Sequence, residues 1–175
     1  MTKMRNMIPR RIYAGFALLT FGAALGAGSD SSMDRSTLRG LKALKVVVDS
    51  PAPEVEREGI SGDGLRITIE QKLRDAGITV DHDAVEFLGL NISSARPPRR
   101  TPLISKGPIS LVVNLGLYQI VLLNRDKSTK TVTETWGDQR VAPAAPKAIE
   151  HTVDDAVEDL VNEFITAYRA MNPKQ

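Results

Sequence analysis

Between Thr152 and Met171, Val153, Val157, Leu160, Val161, Phe164 and Tyr168 recur at helical spacing and form one apolar stripe. Asp154, Asp155, Glu158, Asp159 and Glu163 occupy the rest of the cylinder. Such a helix is stable only against a second apolar surface, so the remaining chain must build one. Burying the six stripe residues is worth about 10–18 kcal/mol before conformational entropy is subtracted. Thr152, with Asp155 three residues on, reads as a capping box using Asp in place of Glu. The acidic first turns and the basic Arg169 and Lys174 at the other end suit the helix dipole.

The second surface is legible upstream. Ile109 to Leu123 is a long extended stretch with Ile109, Leu111, Val113, Leu115 and Leu117 on one face of the pleat. Its parity slips after Leu117, which predicts a bulge or bend near Gly116 or a strand covered on both sides. Asn124 to Lys130 reads as a polar turn, Thr131 to Trp136 as the returning strand, and Val141 to Pro146 as a loop. Earlier, Leu44 to Asp49 alternates as a strand that Pro51-Ala52-Pro53 ends. Ser61 caps a helix carrying Leu65, Ile69, Leu73 and Ala76 inward and Arg66, Glu70, Lys72, Arg74 and Asp75 outward. Gly77 stops that helix, Ile78-Thr79-Val80 opens a strand, and Glu86 to Ser93 continues extended up to the proline-rich Arg96 to Pro102 loop. The expectation is an α+β fold in the order β-α-β-β-β-α, with two helices on one face of a largely antiparallel sheet of about four strands.

The amino-terminal end has a different character. Lys3, Arg5, Arg10 and Arg11 precede an unbroken apolar run from Ala14 to Gly28, the layout of a cleavable export signal, with cleavage expected after Gly26 or Gly28. The run is about 15 residues, or roughly 22 Å as helix, short of the ~30 Å hydrocarbon core, so no permanent transmembrane helix is expected after processing. Arg10-Arg11 permits a twin-arginine route, but Pro9 and Ala14 fit it poorly and the general secretory route is favoured. The chain then divides into a signal over 1–28, a Ser/Asp-rich connector over 29–40 and one domain over 41–175. The destination is the periplasm or the medium.

Without the leader's four basic residues the 23 Lys and Arg become 19 against 21 Asp and Glu, a net charge of about −2. No global basicity remains to attract nucleic acid. The chain has no cysteine, which excludes a disulfide framework, thiolate metal ligation, a thiol nucleophile and lipid attachment through an amino-terminal cysteine.

Gly64-Leu65, Lys72-Leu73-Arg74-Asp75-Ala76-Gly77-Ile78, Thr135-Trp136 and the run from Val157 to Asn172-Pro173, including Asn162-Glu163-Phe164-Ile165-Thr166-Ala167-Tyr168, together resemble a group of small exported bacterial proteins without an assigned activity. The element order is also similar to the amino-terminal domain of the Tol system's periplasmic propeller protein. These are packing motifs, so the resemblance implies a fold and an exported address and brings no catalytic residues with it.

No motif specifies chemistry. There is no Gly-x-Ser-x-Gly elbow, no His-Glu-x-x-His pair and no phosphate loop ending in Lys-Ser or Lys-Thr. Asp81-His82-Asp83 places three ligand-type residues together, but strand geometry would turn His82 away from the two aspartates, and an exposed polar turn fits better. His151 reads as a cap or a surface residue. Gly62 and Gly64 precede a helix whose amino end could hold an anion, and Asp63 opposes it. The carboxylates of the last helix read as a solvated face. Catalytic, metal and cofactor-binding residues are therefore none. The candidates for partner contact are Arg96, Arg99 and Arg100, whose guanidinium forks suit oxyanions, and Trp136, otherwise a core anchor. The reading is a non-catalytic envelope module contacting protein, lipid or polymer through an edge strand or the Arg96 to Pro108 loop, of unspecified oligomeric state. The alternative is an exported hydrolase with a site assembled from dispersed carboxylates.

Overall fold

The computed structural model describes residues 31–96 and 107–173. Its elements run α1 (Ser32–Ser36), β1 (Lys45–Val48), α2 (Pro53–Glu56), α3 (Gly62–Asp75), β2 (Phe87–Ala95), β3 (Ile109–Leu123), β4 (Asp126–Ala144), a 3-10 turn (Pro146–Ala148) and α4 (Ile149–Met171). The strands form one sheet in the order β1-β2-β3-β4, with β1 parallel to β2 and the other pairs antiparallel. A parallel pair needs a crossover, which α2 and α3 supply.

The α+β expectation holds. The pleat of β3 sends Ile109, Leu111, Val113, Leu115 and Leu117 inward, where they meet Leu88, Leu90 and Ile92 of β2 and Trp136 of β4. Leu65, Ile69 and Leu73 of α3 and Val153, Val157, Leu160, Val161 and Phe164 of α4 close the same core, each at most 6% exposed. Ser61 caps α3 as expected, its Oγ accepting from the Gly64 N–H at 3.1 Å. Residues 31–40 do more than connect: α1 contacts α4 and β4, and Leu38 is fully buried. Asn172 fastens this segment to the end of α4, donating from Nδ2 to the Leu38 carbonyl (2.8 Å) and accepting at Oδ1 from the Gly40 N–H (2.8 Å).

Four local expectations need correction. Val80 makes only an isolated parallel bridge to Leu44, and β2 begins at Phe87. β4 does not become a loop at Val141 but runs to Ala144. Pro143 is tolerated there because β4 is the outermost strand, where a missing N–H costs no ladder bond. Thr152 is not a cap: α4 starts at Ile149, and the Thr152 hydroxyl donates back to the Ala148 carbonyl at 2.7 Å. Glu70 faces inward at 5% exposure, held by Arg74 at 2.8 Å and Arg66 at 3.5 Å.

The parity slip has its counterpart one residue beyond the expected place. Leu117 pairs with Trp136 and Tyr118 with Glu134, so Thr135 is an extra residue in β4. β2 ends its pairing at Phe87–Tyr118. Beyond that point β3 and β4 continue as a two-stranded ribbon, roughly 17 Å for the five residues from Gln119 to Leu123. The apolar residues change face here because the ribbon projects past the last rung of β2. Ile120, Leu122 and Val132 are 49%, 52% and 55% exposed.

Candidate binding face

The helices cover one side of the sheet and leave the other open. On the open side the register sets Gly89, Gly116 and Gly137 side by side across β2, β3 and β4. The row is a trough, and two side chains from neighbouring rungs lie in it. The Tyr118 ring lies over Gly89, where a methyl would come within 3.0 Å of Cε2. The Glu134 carboxylate lies over Gly116, where a methyl would be 2.7 Å from Oε2, and over Gly137, where the approach is closer still. The Tyr118 hydroxyl donates to Glu134 Oε2 at 3.1 Å. Burial raises the Tyr118 pKa, and the adjacent Glu134 charge adds to it. Phe87 stacks on Tyr118 with centroids 4.8 Å apart and planes 8° from parallel. Beside this stack is a shallow hollow of about 110 Å³ whose polar walls are Asp49, Asn91 and Asn114. Asn91 donates to Asp49 at 3.1 Å. The face thus offers a flat aromatic edge, two amides and two carboxylates.

A second hollow, about 330 Å³, lies at the root of the ribbon among Arg39, Lys42, Asp81, Glu86 and Gln119. Its cations and anions balance, so it selects no charge.

Among the described residues one ionisable group is strongly perturbed, and no sequence signal marked it. Arg140 of β4 donates to Asp138 Oδ2 at 3.0 Å and to Glu163 of α4. The hydrogen bond with Asp138, then burial, push Glu163 up to about 7, against the pull of Arg140. Asp138 is lowered although burial opposes it, because Glu163, the Gln139 N–H and Arg140 all hydrogen-bond its charged form. Glu163 is therefore part of an inter-element network and not simply one of the solvated carboxylates of α4. Paired carboxylates with separated pKa values suit acid–base work, but none of the hollows at the glycine row, at the ribbon root or near Arg66 is lined by them.

Arg96 is exposed just past the end of β2, while Arg99 and Arg100, like the whole leader, lie outside the described residues. Trp136 is corrected from possible partner contact to core: it is 1% exposed, with Phe164 packed against it at 5.1 Å and 65°. Asp81 accepts from the Asp83 N–H at 3.0 Å, an ordinary Asx turn. His151 sits on the surface, 3.3 Å from Asp155. Among the described residues no three His, Asp or Glu side chains converge as a metal site, and no helix is long and apolar enough to cross a membrane.

The fold and face define a one-sided α+β domain with a mixed sheet. No family model matches the chain, and no curated protein matches it. Among solved structures it is similar to the PelC L103M dodecamer from Paraburkholderia phytofirmans, at 16% identity over 70% of this chain and 86% of that one, TM-score 0.39. It is also similar to a minor lipoprotein from Acinetobacter baumannii, at 11% identity over 74% and 94%, TM-score 0.35, and to rare lipoprotein B from Shewanella oneidensis, at 15% over 74% and 91%, TM-score 0.25.

Proposed function

We propose that this chain is an exported, non-catalytic binding module of the bacterial envelope that holds a protein, lipid or polymer partner on the open face of its sheet. The observation that carries the reading is the glycine trough: three glycines in one row keep that face low enough for Tyr118 and Glu134 to lie flat, beside an aromatic pair and a polar hollow that no part of the described chain covers. The export leader over 1–28, the absence of cysteine and a mature charge near −2 support an envelope address without nucleic acid and without an amino-terminal lipid.

A photo-crosslinking residue at Asn114, on the open face, should capture a reproducible partner in native envelope extract, and one at Asp154, on the solvated face of α4, should not. Sequencing the amino terminus of the same preparation should begin at Ala27 or Ser29. Equal capture from both positions counts against the face, and an intact Met1 counts against the address. Turnover of any substrate lost on Glu163→Gln would replace the reading with the hydrolase.

A further inference from the structure

We infer that β4 pairs antiparallel with β4 of a second copy of this chain, about a two-fold axis through Val132. β4 is the outermost strand of the sheet, and residues 126–134 are all exposed. An exposed edge of this length is a ready template for another strand. What selects the partner is the segment itself. Thr129-Lys130-Thr131-Val132-Thr133-Glu134-Thr135 reads as its own complement when laid antiparallel. Val132 meets Val132, Thr131 meets Thr133, and Lys130 meets Glu134 twice.

The faces agree as well. Lys130, Val132 and Glu134 pair with Leu122, Ile120 and Tyr118 of β3, so they share the open face of the ribbon. In the pair, Ile120 and Val132 of one copy would run into Val132 and Ile120 of the other, covering apolar surface that is now about half exposed. Tyr118 occupies Glu134 Oε2 and leaves Oε1 for the incoming lysine, and the Lys130 ammonium makes no hydrogen bond or ion pair within the described residues. Moving the axis two residues either way would set Lys130 on Lys130 or Glu134 on Glu134, and moving it to Thr131 would set Lys130 on Val132. Like charges directly opposite are destabilising, so the register is specified. Thr37, bonded to the Thr135 carbonyl at 3.2 Å, marks where α1 ends the open edge. An isologous contact of this kind closes at two copies.

The test is a charge swap on the full chain, in whatever processed form accumulates in its host, read by sedimentation over a concentration series with a thermal melt as folding control. Lys130→Glu and Glu134→Lys alone should each weaken association by roughly tenfold or more, and the double swap should restore it. Because the chain has no cysteine, Val132→Cys adds a unique thiol. Opposed strand residues lie about 4.5–5.5 Å apart at Cα, within disulfide reach, so mild oxidation should give a covalent dimer. Ser128→Cys, about 27 Å from its counterpart, should not cross-link. A monomer at every concentration, a double swap that fails to restore association, or equal cross-linking at both positions would overturn the inference. None of these outcomes depends on what the open face binds, since each is read on the purified chain alone.

Discussion

Glu134 lies across Gly116 and Gly137 and accepts the Tyr118 hydroxyl at 3.1 Å, so one exposed carboxylate occupies the space that two missing side chains leave. The extra residue Thr135 makes this possible. It puts Glu134 opposite Tyr118 and leaves Trp136 opposite Leu117 on the buried side.

Neither Gly116 nor Gly137 has a positive φ, and the atoms nearest to an added methyl at either position belong to the Glu134 side chain. Gly116→Ala should push Glu134 aside and cost about 0.5–1.5 kcal/mol, one hydrogen bond. In a Glu134→Ala background the same change should be neutral or stabilising, because it removes backbone freedom from the unfolded chain. Urea melts of the four proteins in this cycle measure the coupling. Additive costs would show that the backbone, and not Glu134, rejects the methyl.

Glu163 gives stability a pH dependence. Its proton is held to about 7 in the folded protein and to about 4.3 in an unfolded chain, so its contribution is complete below the unfolded value and lost as pH rises through about 7. Asp138, held low, runs the other way, and its contribution is lost as pH falls through its folded value. The Glu163 side chain is 47% exposed, which limits the effect to about 1 kcal/mol. Glu163→Gln keeps an acceptor for Arg140 and a donor for Asp138. It should flatten stability between about pH 5 and pH 8, as measured by melts across that range.

Trp136 is enclosed, yet its indole N–H has no partner among the described residues. Trp136→Phe therefore discards an unpaired donor along with some volume and should cost about 1–2 kcal/mol, against about 3–5 kcal/mol for Trp136→Ala. Denaturant titration followed by circular dichroism compares the two. The wild-type fluorescence should be blue-shifted and poorly quenched by iodide.

Leu160 is fully buried where α4 meets the sheet. Leu160→Asp would place a charge there without a partner, which is among the costliest single changes a core can suffer. A cooperative thermal transition retained by that variant would show that α4 does not pack inward.

The periodicities determined much by themselves. The stripe from Val153 to Tyr168, the alternation from Ile109 to Leu117 and the cap at Ser61 each depend on residues a few positions apart, and local repeats carry that information. They also placed the slip after Leu117 to within a residue or two. Tertiary structure alone decided that Gly89, Gly116 and Gly137 share a row, that Glu163 meets Arg140 and Asp138, and that Glu70 faces inward. Each of these depends on the pairing of distant segments, which local patterning leaves open. The length of β4 was hidden for the same reason: Pro143 reads as a strand breaker until the strand is known to lie at the sheet's edge, where its missing N–H has no ladder partner to lose.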